Sequence, residues 1–156
     1  MSLSKHDVLA KAMVNILAAY GFEVQYKIKG KETEKILVIG DSGLNYYPDI
    51  VATKGYTVLV GDIRTRGQRG TKDKIDRYVV QFLQAELDDM TAKFKRPHGL
   101  IVTAHGSDSD AIRLADHFGI YLVHLQLDIA QEIANLDPVS QRQKILETAR
   151  KSNIEL

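Results

Sequence analysis

Apolar side chains at Val8, Leu9, Ala12, Met13, Ile16, Leu17 and Tyr20 recur at three- and four-residue intervals, which lines one face of an α-helix. Ser4 ahead of the run is a candidate N-cap and Gly21 behind it a stop, so a helix is predicted over 4–20. The period then changes. Residues 22–29 alternate as a strand does, 30–35 form a charged stretch suited to a hairpin tip, and 36–39 are a short apolar run. Gly40-Asp41-Ser42-Gly43 is turn chemistry. Strands are predicted over 47–53 and 56–65, joined by a tight Lys54-Gly55 connection. A second helix is predicted over 71–90, burying Ile75, Val79, Phe82, Leu83, Leu87 and Met90.

The pattern continues with a strand over 99–103, a helix over 107–118 stopped by Gly119, and a strand over 120–125. A strand–helix–strand run implies a parallel pair with a right-handed crossover. Helices over 127–136 and 138–152 close the chain, the last started by Asp137-Pro138 as N-cap and first helical residue. Its apolar stripe (Ile145, Leu146, Ala149) suits either a sheet edge or a second copy of the chain. The order is a helix, a meander of three or four strands, then helix, strand, helix, strand and a helical tail. That order predicts an α/β sandwich with a mixed sheet. With no repeat, low-complexity tract or linker, one domain is expected, its core at about 4–125 and its tail at about 127–153.

Composition narrows the chemistry. At 156 residues, 44% hydrophobic and 26% charged, the chain has the length and balance of an ordinary globular domain. It has no cysteine, which excludes disulfide frameworks, thiolate zinc sites and thiol nucleophiles. No apolar run approaches the roughly 20 residues a membrane helix needs, and the N-terminus lacks a signal-peptide layout, so a cytoplasmic protein is expected. The net charge of +1 predicts no bulk attraction to nucleic acid. Its distribution is uneven, however. Over 64–77, six basic residues stand against two acids, so this segment carries +4 and leaves −3 for the rest.

Two carboxylates, Asp49 and Asp62, sit in otherwise apolar predicted strands, and Asp62 shares its strand face with Arg64. If the strands pair through the Lys54-Gly55 turn, Asp49 lies beside Asp62. Adjacent acids repel unless a cation lies between them or one is protonated. Carboxylates, a carbonyl and water are the ligands that suit Mg²⁺ or Mn²⁺. An ion there would polarise a phosphodiester, and the basic segment that follows would hold a phosphate backbone. The alternative is a surface Asp–Arg pair worth at most about 1 kcal/mol.

Other candidates have structural readings. Ser107 or Asp108 within His105-Gly106-Ser107-Asp108-Ser109-Asp110 is an N-cap rather than a nucleophile, because no Gly-x-Ser-x-Gly elbow is present. His98, His117 and His124 read as ordinary strand or surface residues. Tyr46, Tyr47 and Tyr78 suit a half-buried sheet surface or a stacking contact. Residues 61–70 have no phosphate-loop spacing.

Pro48-Asp49 and Asp62-Ile63-Arg64, followed by 99–104, 107–115, Gly119-Ile120 and 122–125, resemble the PD-(D/E)XK or restriction-endonuclease-like nucleases, most closely their Mrr-type branch. The likeness covers about residues 4–125. It implies a restriction-endonuclease-like α/β/α sandwich and a metal-dependent DNA endonuclease. Mg²⁺ (or Mn²⁺) would be held by Asp49, Asp62 and the backbone carbonyl of Ile63, with Arg64 as a further catalytic residue. Arg66, Arg69, Lys72, Lys74 and Arg77 would hold DNA, and a homodimer would cut both strands.

Two departures stand out. Arg64 replaces the family's lysine and stays protonated, so it can orient water or stabilise phosphate charge but cannot accept a proton. Lys72 or Lys74 is a candidate relocated lysine. The glutamate of the family's first helix falls near Ala10, leaving Asp7 as the nearest acid, in a helix-starting turn that favours acids anyway. Gln81 resembles a glutamine that some branches place near the metal or backbone. These departures keep a rival open, a catalytically degenerate nuclease fold acting as a nucleic-acid-binding or assembly module. An archaeal-resolvase-like junction enzyme fits the acids but not the strand–helix–strand tail.

Overall fold

The computed structural model describes residues 4–26, 36–65 and 74–156. The expected hairpin tip at 30–35 lies outside them. Five strands form one sheet in the order β1-β4-β5-β6-β7: β1 (Glu23–Tyr26), β4 (Ile50–Lys54), β5 (Thr57–Arg64), β6 (His98–Thr103) and β7 (Tyr121–His124). β1, β4 and β5 run antiparallel, whereas β5, β6 and β7 are parallel, so the sheet is mixed. β2 (Val38–Ile39) and β3 (Asn45–Tyr46) form a separate hairpin. α1 (Lys5–Ala19), α4 (Leu127–Ala134) and α5 (Arg142–Lys151) share one apolar core with one sheet face. α2 (Arg77–Asp88) and α3 (Ser109–Phe118) cover the other. This is the α/β sandwich anticipated from the element order. No helix among the described residues is long and apolar enough to cross a membrane.

α1 starts where its sequence signals it: Ser4 is extended and its Oγ accepts the Asp7 N–H. Burial is wider than a one-faced pattern predicts. Val8, Leu9, Ala10, Ala12, Met13, Val14, Ile16, Leu17 and Ala19 are all buried, because α1 lies between the sheet and the α4/α5 layer. A helix that is apolar nearly all round is an interior helix. Asn15 is a buried polar exception, and its amide donates to the Ile133 and Leu136 carbonyls at 2.9 and 3.0 Å, satisfying the end of α4. Ile145, Leu146 and Ala149 are buried in this core, so the stripe on α5 is used within the chain and is not left for a second copy.

Three expected elements are shorter than their patterns. The strand expected over 47–53 begins at Ile50, and β3 pairs with β2 instead. Pro48, which has no N–H, ends the ladder between them. The helix expected over 71–90 starts at Arg77, capped by the extended Asp76, whose carboxylate accepts the Tyr78 and Val79 N–H groups. Ile75 is buried for another reason: it bridges Ser107, donating to the Gly106 carbonyl at 3.0 Å and accepting from Asp108 N–H at 2.9 Å. Phe82, expected inside, is half exposed. In the tail, Asp137 caps a separate turn through the Val139 and Ser140 N–H groups, and α5 begins only at Arg142.

The β2–β3 hairpin is fastened to the end of α2 by reciprocal bonds. Asp89 accepts Ser42 N–H (2.9 Å), Ser42 Oγ (2.5 Å) and Tyr46 OH (2.7 Å), and its carbonyl accepts Asp41 N–H. Asp41 in turn accepts Thr91 Oγ1 and Ala92 N–H. Gly40 is required beside this clamp, because a Cβ there would collide with the Asp89 carboxylate and the Tyr46 ring.

Asn15→Ala strips a buried carbonyl, that of Ile133, and a part-buried one, that of Leu136, of their donor. A loss of about 2 kcal/mol in urea unfolding is expected, with no change in the far-UV spectrum of the folded state.

Candidate active site on β4 and β5

The β4–β5 hairpin turns through Gly55 and Tyr56, with Gly55 at φ 60, and its register pairs Ile50 with Gly61. Asp49 stands one residue before this pair and next to Asp62, on which both its charge and its backbone N–H act. Asp49 N–H donates to the Gly61 carbonyl at 3.1 Å. Its Oδ2 accepts Ile63 N–H at 2.9 Å, so the carboxylate occupies a backbone donor that β4 is too short to reach. On β5, Leu59 and Ile63 face α1, while Val60 faces α2. Asp62 and Arg64 share the parity of Val60, and Arg64 Nη2 lies 3.9 Å from Asp62 Oδ2.

The electrostatics follow from this placement. Burial, and after it the negative charge of Asp49, push Asp62 up to about 6, against the pull of Arg64 and His6. Ile63 is buried, and its main chain joins the two acids through the bond to Asp49. Among the described residues no three His, Asp or Glu side chains converge into a metal cage. The donor set that does fit a hard divalent ion is two carboxylates with a backbone carbonyl and water. Ala10, where the resemblance would put a glutamate, is fully buried in the core.

Two neighbours had no assignment from sequence. His6, in the first turn of α1, has Nδ1 3.6 Å from Asp7 Oδ1 and Nε2 3.5 Å from Asp49 Oδ2. Its pKa is raised, chiefly by the Asp49 carboxylate, with partial burial opposing. Asp7 is buried beneath it. Glu86 on α2 is half-buried; burial, then the charge of Asp62, lift it to about 7, with Arg64 opposing. The one signal for Glu86 is its place beside Leu83 and Leu87, on the border of the α2 apolar stripe.

Lys74 is exposed, as is Arg77, whose guanidinium lies over the Tyr78 ring with its centre 5.1 Å from the centroid. Arg66, Arg69 and Lys72 lie outside the described residues. Gln81 is exposed in a shallow groove between α2 and α3 with Arg77, Asp110, Arg113, Leu114 and His117. Tyr46 belongs to the Asp89 clamp, while Tyr47 is exposed. Asp108 caps α3 by accepting Ala111 N–H, and His124 Nε2 lies 3.0 Å from the Ala104 carbonyl.

Asp62, Glu86 and His6 all have folded pKa values above their unfolded ones, so all three bias stability in one direction. Their favourable contribution is full below the unfolded values and is lost as pH rises through about 6 for Asp62 and about 7 for Glu86. For Asp62 the rise from 3.8 to about 6 corresponds to about 3 kcal/mol. Unfolding free energy is expected to fall between about pH 4 and pH 7. Glu86→Gln is expected to flatten that decline, raising Tm at pH 8 and leaving it nearly unchanged at pH 4.

No protein-family model and no curated protein sequence matches the chain. Solved structures do. A protein of unknown function, AF1548, is 14% identical, with a TM-score of 0.59 over 94% of this chain and 98% of that one. An EndoMS–dsDNA complex is 13% identical, with a TM-score of 0.51 over 81% of this chain and 46% of that one. A repair endonuclease from Pyrococcus abyssi is 15% identical, with a TM-score of 0.50 over 81% of this chain and 48% of that one. The chain thus spans about half the length of these last two proteins. At these identities the likeness is one of architecture, and the chain has a nuclease-like fold similar to that of repair endonucleases.

Proposed function

We propose that this chain is a divalent-metal-dependent DNA endonuclease of the PD-(D/E)XK type, with the Mrr-type branch as its nearest relatives. What carries the reading is the closeness of Asp49, just ahead of β4, to Asp62 on β5, with Arg64 on the same strand face as Asp62. In it, Asp49, Asp62 and the Ile63 carbonyl bind Mg²⁺ or Mn²⁺. When bound, such an ion supplies Lewis-acid polarisation of the phosphodiester and lowers the pKa of a bound water. Arg64, permanently protonated, orients the scissile phosphate and stabilises charge developing on its oxygens. The ion pair with Asp62, 3.9 Å long, is loose enough for the guanidinium to be shared with substrate. Lys74 and Arg77, with Arg66, Arg69 and Lys72 before them, hold the backbone. Two copies of one site per duplex favour a homodimer, and one domain suffices for each copy.

The EndoMS neighbour is a complex with double-stranded DNA, which fits duplex as the substrate class. The arginine favours a second reading. Without a lysine able to exchange a proton, the fold would serve as a nucleic-acid-binding module.

Plasmid cleavage separates the two. With Mg²⁺ or Mn²⁺ the chain is expected to nick DNA, Asp62→Ala to lose about a hundredfold or more in rate, and binding to persist. Unimpaired cleavage by Asp62→Ala overturns the active-site assignment. Salt-sensitive, chelator-insensitive binding with no cleavage selects the binding module, and cleavage gained by Arg64→Lys would identify the arginine as its cause. Independently, Mn²⁺ at a hundredfold excess over Kd is expected to stabilise the chain by about 2.7 kcal/mol, roughly 5–10 °C in Tm, and Asp49→Ala to abolish the shift.

A further inference from the structure

We propose that His6, backed by Asp7, is a positioning residue that fixes the Asp49 carboxylate for cation binding, an inference that rests on the metal-site reading above. The geometry assigns this role atom by atom. Oδ2 of Asp49 is engaged from two sides, by Ile63 N–H at 2.9 Å and by His6 Nε2 at 3.5 Å. Two contacts on one oxygen set the plane of the carboxylate and leave Oδ1 as the oxygen available to an ion. His6 is itself oriented: its other ring nitrogen, Nδ1, lies 3.6 Å from the buried Asp7 carboxylate. The result is a carboxylate–imidazole–carboxylate chain. Such outer partners orient metal ligands, and their loss typically costs about 10–100-fold in affinity.

The platform is rigid. Asp7 N–H is bonded to Ser4 Oγ, and the next residues of α1, Val8, Leu9 and Ala10, are packed into the core. His6 therefore approaches Asp49 from a helix that cannot shift without disturbing both faces of its packing, while Ile63 approaches from β5. Asp49 precedes β4 and its backbone is held by one bond, from its N–H to the Gly61 carbonyl at 3.1 Å, so the two contacts to Oδ2 are what orient its carboxylate.

The test is Mn²⁺ binding to the full chain by calorimetry, alongside Tm in the absence of metal. His6→Ala is expected to weaken Mn²⁺ binding about 10–100-fold. His6→Gln, whose side-chain amide reaches the place of Nε2, is expected to recover most of it, whereas the shorter His6→Asn is not. Unchanged affinity in His6→Ala overturns the proposal, with or without a drop in Tm, because a merely structural contact moves stability alone. Tighter binding also overturns it, since His6 would then be the group an ion displaces. If His6→Ala does not fold, the contrast between Gln and Asn decides, and equal affinities in those two overturn it. Failure of the wild-type chain to take up Mn²⁺ sinks the metal-site reading itself, an outcome distinct from binding that ignores His6.

Discussion

Two carboxylates on adjoining segments of a mostly apolar hairpin repel each other, and the surroundings of the site are arranged around that repulsion. Burial, and after it this repulsion, push Asp62 up to about 6. Asp49 meets a backbone N–H and an imidazole instead. Arg64 supplies positive charge on the β5 side, and Glu86 on α2 is lifted to about 7 by its burial and then by the charge of Asp62. Such a group of acids is unfavourable for the empty fold at neutral pH and favourable once positive charge enters. That asymmetry is the physical basis for assigning function here, since acids kept in strained electrostatics are commonly site residues.

The scaffold meets this constraint from both sides of the sheet. α1 delivers His6 and Asp7 at the end of a helix packed on two faces. α2 delivers Glu86 and, one turn later, Asp89, which fastens the hairpin whose last residues lead into Pro48-Asp49. The same helix thus borders Asp62 and anchors the approach to Asp49. Gly99 lets α2 come this close, because a Cβ there would press on Leu83, Leu87 and Ile120.

Much of the layout was legible in the sequence because local rules and tertiary demands agree there. Ser4, Gly21 and Gly119 act as the caps and stops their chemistry implies, and the β4–β5 pairing through the Gly55 turn brings Asp49 close to Asp62. Where they disagreed, the longer-range demand prevailed. Ile75 fits the helical stripe, yet its bridge to Ser107 keeps it out of α2. Asp137-Pro138 has the form of a helix start, yet Asp137 spends its carboxylate on a turn. His6 and Glu86 were invisible as site residues for another reason. Each is a polar residue at an ordinary helix position, and only the packing of α1 and α2 against opposite faces of the sheet brings them to the same two strands.

α1 also constrains how this site can vary over evolutionary time. Along Lys5–Ala19 only Lys5, His6, Lys11 and Ala18 escape full burial. Nearly every other replacement in the helix would damage the interior before it could alter the chemistry. Of these four, His6 borders the acids, so drift along this helix has a single inexpensive route to retuning what they recognise.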